Sequence, residues 1–564
     1  MNLNNRKIRD ILEYLSITAV LILVLISGSL FSFRLDLTSD KRHTISEPAR
    51  NILRSLQDDI YIQVYLDGDM PVGFKRLKRS ALAMLEEFSH YSGRRVDFLF
   101  INPSGSEDER ERNRYHVELI NKGLNPVNIF DEDDEGGQTE KIIFPGMIVN
   151  YNGIELPVNF LKNNQSLSAE QNLLHSIEGL EYELIQAIST ISSDTVYRIA
   201  FLEGQDEYEE VEVADITLEL AKFFTVDRGS IGGEPGILDD YAALVIAGPR
   251  SQFKEEDKLV IDQYIMSGGK VLWLVDQVYV SRDSLAVGGS LALFSPLNIE
   301  DQLFKYGVRI NPVLIQDTDC IIIPLRSGYR NNQPQYLPVP WIYYPLLYTS
   351  NFSPVTRNLN KVKGEFVNYI DTVGGDPAIT RQMLLATSPN SRYVSPPRLI
   401  SLDEFRDPPP EESFNQSFLP VAVLLEGEFT SLYRNRIRTY DGKELAERSI
   451  PTKMIVVADG DIIRNEVSVV GNRVTPLPLG QDRYSQQVYG NKDFIVNCLN
   501  WLVDDKGILE LRSRELRIPL LNSKKVEKER LFWEVLNSSG TVLVVLLGGL
   551  IYWVIRKRKF AVKK

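Results

Sequence analysis

Two uncharged apolar segments stand near opposite ends of this chain, residues 15–33 (LSITAVLILVLISGSLFSF) and 535–555 (VLNSSGTVLVVLLGGLIYWVI), with a mostly polar stretch between them. A helix rises about 1.5 Å per residue, so ~20 apolar residues cover the ~30 Å of hydrocarbon in a bilayer. Only helices and closed barrels satisfy backbone polar groups in lipid, so both segments are expected to span it. The first also has the basic start of a signal peptide, but no A-x-A-like cleavage site follows Phe33. A buried core helix is the other reading of the second, and the basic block directly after it argues against that. The expected layout is a two-pass membrane protein holding one large domain against one face.

Flanking charge chooses the face. Arg6, Lys7 and Arg9 precede the first segment, and Arg556, Lys557, Arg558, Lys559, Lys563 and Lys564 follow the second. Lys and Arg in short flanks stay cytoplasmic, so 1–14 and 556–564 are expected inside the cytoplasmic membrane and residues 34–534 in the periplasm. Arg34, Lys41, Arg42, Lys524, Lys525, Lys528 and Arg530 compete, but they belong to a long translocated domain, which weighs little in that rule.

The chain carries a net charge of −13 over 564 residues, and its basic ends leave the middle more acidic still. An acidic domain with no basic groove repels phosphate polyanions, which excludes nucleic acid as a partner. With only Cys320 and Cys498 there is no disulfide framework, and a single bridge between them is left open. Length leaves room for two to four domains.

Periodicity organises the middle. Ser46 and Pro48 open a helix, 60–66 alternates as a strand, 74–91 has helical spacing and 96–101 is a second strand. Further strands at 127–130, 142–149 and 153–159 flank an acidic turn, 131–137. Residues 44–165 therefore read as a small α/β domain of thioredoxin-like size and order, followed by a linking helix at 168–191. The strands 196–202, 225–228, 242–247 and 270–275 alternate with helices 213–224 and 255–267, which predicts an open, mostly parallel sheet. A proline-rich block, 281–420, reads as an irregular insertion. Strands at 421–425 and 454–458 and a helix at 492–503 are expected to complete a larger α/β domain, 196–510.

Catalytic signatures are missing. There is no G-x-x-x-x-G-K-[ST] phosphate loop and no G-x-S-x-G or cysteine elbow, and His43, His90, His116 and His175 lack metal-ligand spacing. No catalytic residue, cofactor or metal is predicted, and Asp317 and Asp319 read as solvated acids rather than calcium ligands. In open α/β sheets ligands favour the carboxyl ends of strands. Three loops are expected there: Gly204, Gln205 and Glu207 in the first, Gly248 in the second, Asp459 and Asp461 in the third. They are the candidate ligand or partner crevice, against the plainer reading that Gly and Asp serve turns. Ser, Thr, Asn and Gly in the apolar segments suit helix packing against another membrane protein rather than an ion path.

The stretch Arg34-Leu35-Asp36-Leu37-Thr38, with Lys41 and Thr44-Ile45-Ser46, resembles the opening of the auxiliary components of bacterial ABC transporters, in particular the gliding-motility members. The resemblance continues through Gly204-Gln205-Asp206-Glu207, Val423–Gly427, Val456–Asp461 and Phe494–Leu502. Relatives often carry Gly-His-Gly-Glu at 204–207, so no role of that histidine transfers here. The resemblance implies an amidotransferase-like (flavodoxin-like) α/β domain without its nucleophile. It also implies a separate ABC permease and a separate ATPase as partners, with cargo or an envelope component bound outside. A membrane-tethered envelope hydrolase and a structural scaffold are the alternatives.

Overall fold

The computed structural model describes residues 45–132, 138–161, 168–513 (apart from 194, 331–332, 375, 435, 437–438, 441 and 472) and 523–560, with a few positions between 15 and 23. Two compact units result, Met1–Arg514 and Glu515–Lys564.

In the first unit, α1 (Glu47–Ser55) starts where the Ser46 hydroxyl accepts the Ala49 N–H and a proline fills the first turn. β1 (Ile60–Val64) buries Ile60, Ile62 and Val64 and leaves Tyr61 outward, the period-two pattern of a strand. α2 (Val72–Tyr91) sets Leu77, Ala81, Leu85 and Phe88 on one buried stripe and carries the chain to β2 (Val96–Phe100), parallel to β1. α3 (Glu109–Asn121) and the hairpin β3 (Val127–Glu132) and β4 (Gln138–Ile143) follow. β5 (Gly146–Tyr151) and β6 (Ile154–Asn159) complete a four-stranded sheet of order β2-β1-β5-β6, β5 running against β1. α4 (Ala169–Ile191) begins with a reciprocal Ser168–Gln171 capping box and packs on α2.

The large sheet begins with β7 (Arg198–Leu202), α5 (Ala214–Leu220), β8 (Thr225–Gly229), β9 (Ala243–Ala247), α6 (Glu255–Met266) and β10 (Val271–Leu274). It continues through β11 (Cys320–Arg330), β12 (Gln333–Thr349), β13 (Ile379–Ala386), β14 (Pro420–Gly427) and β15 (Thr452–Val457), in the spatial order β11-β12-β13-β14-β15-β10-β9-β7-β8. The five strands β8, β7, β9, β10 and β15 are mutually parallel. Numbered along the chain they stand 2-1-3-4-5, so the order reverses between β7 and β9. Continuous apolar runs such as Ala243–Ala247, buried at every position, are what strands covered on both faces require. Trp273, Tyr306 and Phe429 belong to one buried core, in which the Tyr306 and Phe429 rings meet edge-on at 5.8 Å. α7 (Asn491–Val503) buries Phe494, Ile495, Cys498 and Leu499.

Residues 281–420 are not the irregular insertion their prolines suggest. They form much of the antiparallel half of the sheet, led by the long β11–β12 hairpin. Proline lacks a ladder donor and is tolerated where the N–H would face an open edge. Pro334, Pro338 and Pro340 fall on one parity of β12, so these three missing donors lie on one edge, while Pro345 falls on the other parity. Cys320 and Cys498 are both free thiols, so they form no bridge.

The second unit contains α8 (Ser523–Phe560), whose stretch Lys528–Arg558 is long and apolar enough to cross a membrane and is unburied within its own unit. Trp533 and Trp553 are twenty residues apart, about 30 Å along a helix, which is the thickness of the hydrocarbon layer. Each is tied to a charge: Trp533 donates to Glu529 (3.1 Å), and the Lys557 ammonium lies 4.9 Å from the Trp553 ring. Of the other expected span, 15–33, the described positions are helical, and most of it lies outside the described residues.

Candidate functional site

Strand register builds the site. Leu274 of β10 is paired with Val457 of β15 and with Ala247 of β9. Two residues past the paired ends, Asp276 and Asp459 therefore stand side by side, with Gly248 adjoining. Close approach is possible only because glycines lie there. A Cβ on Gly460 would come 2.6 Å from Asp276 Oδ2 and 2.8 Å from Gly248 Cα. One on Gly248, whose φ is +63°, would meet the Tyr208 ring at 2.4 Å.

The three predicted loops meet. The Arg250 N–H donates to the Gln205 carbonyl (2.8 Å), the Tyr208 N–H to the Ala247 carbonyl (3.3 Å), and the Tyr208 hydroxyl to Asp461 Oδ1 (2.9 Å). Their predicted residues are not equivalent, however. A cavity of about 140 Å³ opens above the strand ends, walled by Tyr208, Arg250, Asp276, Arg282, Asp461 and Arg464. Of the six candidates only Asp461 lines it. Gly248 and Asp459 lie below, and Asp459 is fully buried. Gly204 turns at φ +122° toward Ser230, Gln205 reaches Asp257 on α6 (3.4 Å), and Glu207 accepts the Gln205 N–H (2.8 Å). Burial raises the Glu207 carboxyl above its ordinary range.

The site is a dense charge network. Arg282 binds Asp461 (2.6 Å) and Glu365, Arg464 binds Glu212 (2.6 Å) and Asp461 (3.5 Å), and Lys363 bridges Glu365 (3.0 Å) and Glu466 (3.1 Å). Burial alone would lift Glu365, yet Arg282 and Lys363 hold its carboxyl down to about 2. Asp276 goes the other way: burial and then Asp461 push it up to about 8. Asp459 is likewise raised well above its ordinary range, by burial and then by Asp276 and Asp461. Tyr208 is pushed well up by burial and the same acids, so it stays a hydroxyl donor.

Asp276, Asp459 and Asp461 bring carboxylate oxygens within 4.8 Å of one another. A hard cation would have to take those oxygens from existing donors. Asp459 accepts the N–H groups of Asp461 (2.9 Å) and Glu365 (3.0 Å), Asp276 accepts that of Gly460 (3.1 Å), and Asp461 is held by Tyr208 and two arginines. Retained protons fit this crowding better than a cation does. Sequence reasoning missed Tyr208, Asp276, Arg282, Glu365 and Arg464. Asp276 alone had a signal, a carboxylate just past an apolar run.

A model of an ABC-type uncharacterized transport system, the auxiliary family of ABC transporters, matches residues 197–498. The chain belongs to that family. Its matched region runs from the start of β7 into α7 and so contains every residue of the crevice. A domain of unknown function (DUF7088) matches residues 39–150, which include β1, β2 and most of the small sheet. An uncharacterized protein of Borreliella burgdorferi (strain B31) is 22% identical over 448 residues, covering 75% of this chain and 79% of its own length. Among solved structures, the mmIFT52 N-terminal domain aligns with 55% of this chain and 98% of its own at 13% identity and a TM-score of 0.31. Membership ties the protein to transporter components, and with α8 it indicates membrane association.

Proposed function

We propose that this protein is a non-enzymatic accessory subunit of an ABC-type transporter, held in the cytoplasmic membrane by two helices, 15–33 and 535–555. Both termini face the cytoplasm and residues 34–534 the periplasm. The family match across 197–498 carries the reading. Support for the anchor comes from α8, with aromatic residues about 30 Å apart and Arg556–Lys559 beyond the second of them. A separate ATPase and a separate permease are what the motif resemblance implies, and the missing phosphate loop supports placing ATP hydrolysis outside this chain. A thioredoxin-like outer domain is supported by the order β2-β1-β5-β6, and a flavodoxin-like one by the 2-1-3-4-5 order of the parallel strands. The crevice at the strand ends is the place for cargo or an envelope partner, in a gliding-motility system on the motif resemblance.

Affinity isolation of the full-length protein from detergent-solubilised membranes tests this. A permease and an ATPase should co-purify in fixed ratio; a reproducibly solitary protein refutes the reading. Reporter fusions at each terminus should both report cytoplasm.

A further inference from the structure

The basic side chains around the crevice are mostly held in ion pairs, and Arg250 is the exception. Arg282 faces Asp461 and Glu365, Arg464 faces Asp461 and Glu212, Lys363 faces Glu365 and Glu466, and Arg483 faces Glu466. Arg250 has no carboxylate within 4.0 Å among the described residues, and the charges of Glu212, Asp461 and Asp276 act on it only from farther off. Its backbone is fixed by the Gln205 carbonyl, and its guanidinium lies 5.2 Å from the Tyr208 ring, whose other neighbour is Arg464 at 5.4 Å. Tyr208 in turn is locked by its bond to Asp461 (2.9 Å). Two guanidiniums thus flank one fixed aromatic ring in the cavity wall, a third (Arg282) stands in the same wall with Asp276, Asp283 and Asp461, and one of the three, Arg250, is in no ion pair. The cavity, about 140 Å³, has room for one small oxyanion group with ordered water.

We propose that this cavity binds a small ligand through a carboxylate or phosphate group, gripped by Arg250 and backed by Arg464 and Arg282. A planar fork of N–H donors stacked on an aromatic ring is pre-organised for such a group, so little rotamer freedom is lost on binding. The inference rests on reading the crevice as a ligand site, not on the identity of the transporter partners.

Calorimetry on the full-length protein in detergent, at low ionic strength, provides the test, with inorganic phosphate and malonate as probes and chloride at matched ionic strength as control. One or both oxyanions should bind. Arg250→Gln should weaken binding at least tenfold while leaving the ligand-free melting temperature unchanged, and Arg250→Lys should retain part of it. Binding by phosphate alone or by malonate alone separates the two sources. Failure of both at tens of millimolar, or equal binding by Arg250→Gln, overturns the proposal. Stabilisation by calcium or magnesium, lost in Asp276→Asn, also overturns it, by making the site cationic. Loss of the permease and ATPase from the purified complex would sink the accessory-subunit reading and leave this result standing.

Discussion

Asp276→Asn isolates the least ordinary feature of the crevice. In the folded protein burial and the Asp461 charge push the Asp276 carboxyl up to about 8, against 3.8 for an unperturbed aspartate. Above pH ~4 the unfolded chain has lost that proton, while the native state keeps it until about pH 8. The native state therefore binds up to one more proton in this window, and stability falls as pH rises, by about 1.4 kcal/mol per unit. Between pH 5 and 8 that amounts to roughly 4 kcal/mol. For a unit of about five hundred residues the unfolding entropy is near 1 kcal/mol/K, so the melting temperature should drop by about 4 °C over the window on this account alone. Asparagine keeps the shape and an oxygen to accept the Gly460 N–H, but it cannot ionise. Scanning fluorimetry of both proteins from pH 5 to 8.5 should give curves that diverge, the variant losing less as pH rises and melting higher at pH 8.5. Parallel curves would refute the retained proton, as would a wild type that gains on the variant with rising pH.

Other expectations follow from packing and burial. Gly460→Ala puts a methyl group 2.8 Å from Gly248 Cα, a backbone atom that cannot swing away, and should cost about 1–3 kcal/mol in denaturant titration. Trp273→Ala, at a fully buried position, should cost roughly 3–5 kcal/mol, read as a lower denaturation midpoint. Burial pushes the Cys320 thiol up to about 12 and raises that of Cys498 well above its ordinary range, so little thiolate exists near pH 8. Both thiols should resist a thiol reagent in the native protein and react together in denaturant; prompt native labelling of Cys498 would contradict its burial.

The elements that could be read from the chain are those whose local signals agree with their tertiary fate. Ser46 caps the helix it announces, the linking helix expected from residue 168 starts at a Ser168 cap, and the apolar runs at β9 and β10 are the buried parallel strands they predict. α3 escaped because nearly half of it is charged and only His116 and Leu119 are buried, too few to draw an apolar stripe. The proline-rich block misled for a different reason. Proline content reports missing donors, and it cannot say that those of Pro334, Pro338 and Pro340 would gather on one edge of β12. Within the crevice, the Gly and Asp loops were legible as turn chemistry at strand ends. Their ionic partners were not, because Arg282 meets Asp461 across 179 residues of sequence and the Glu365 N–H meets Asp459 across 94.

Asp459 carries that long-range closure, and its substitution should behave unlike that of Asp276. One of its oxygens accepts the Asp461 N–H and caps the turn after β15; the other accepts the Glu365 N–H and pins the segment that leaves β12 to the end of the parallel sheet. Asparagine offers a single oxygen, so Asp459→Asn leaves one buried backbone N–H without an acceptor and turns an amide donor toward it. An unsatisfied buried donor costs about 1–3 kcal/mol, and this loss should appear at pH 5, where neither aspartate at the strand ends pays for a charge. The Asp459 carboxyl is also raised by burial and by Asp276, so removing its charge relieves part of the deficit as pH rises. Asp459→Asn should therefore melt below wild type at pH 5 and approach it at pH 8, whereas Asp276→Asn melts near it at pH 5 and above it at pH 8. Proteolysis should separate the two as well, since only Asp459→Asn loosens the segment around Glu365. If both variants shift equally at pH 5, the second backbone bond is not what holds that segment, and the crevice closes by side-chain ion pairs alone.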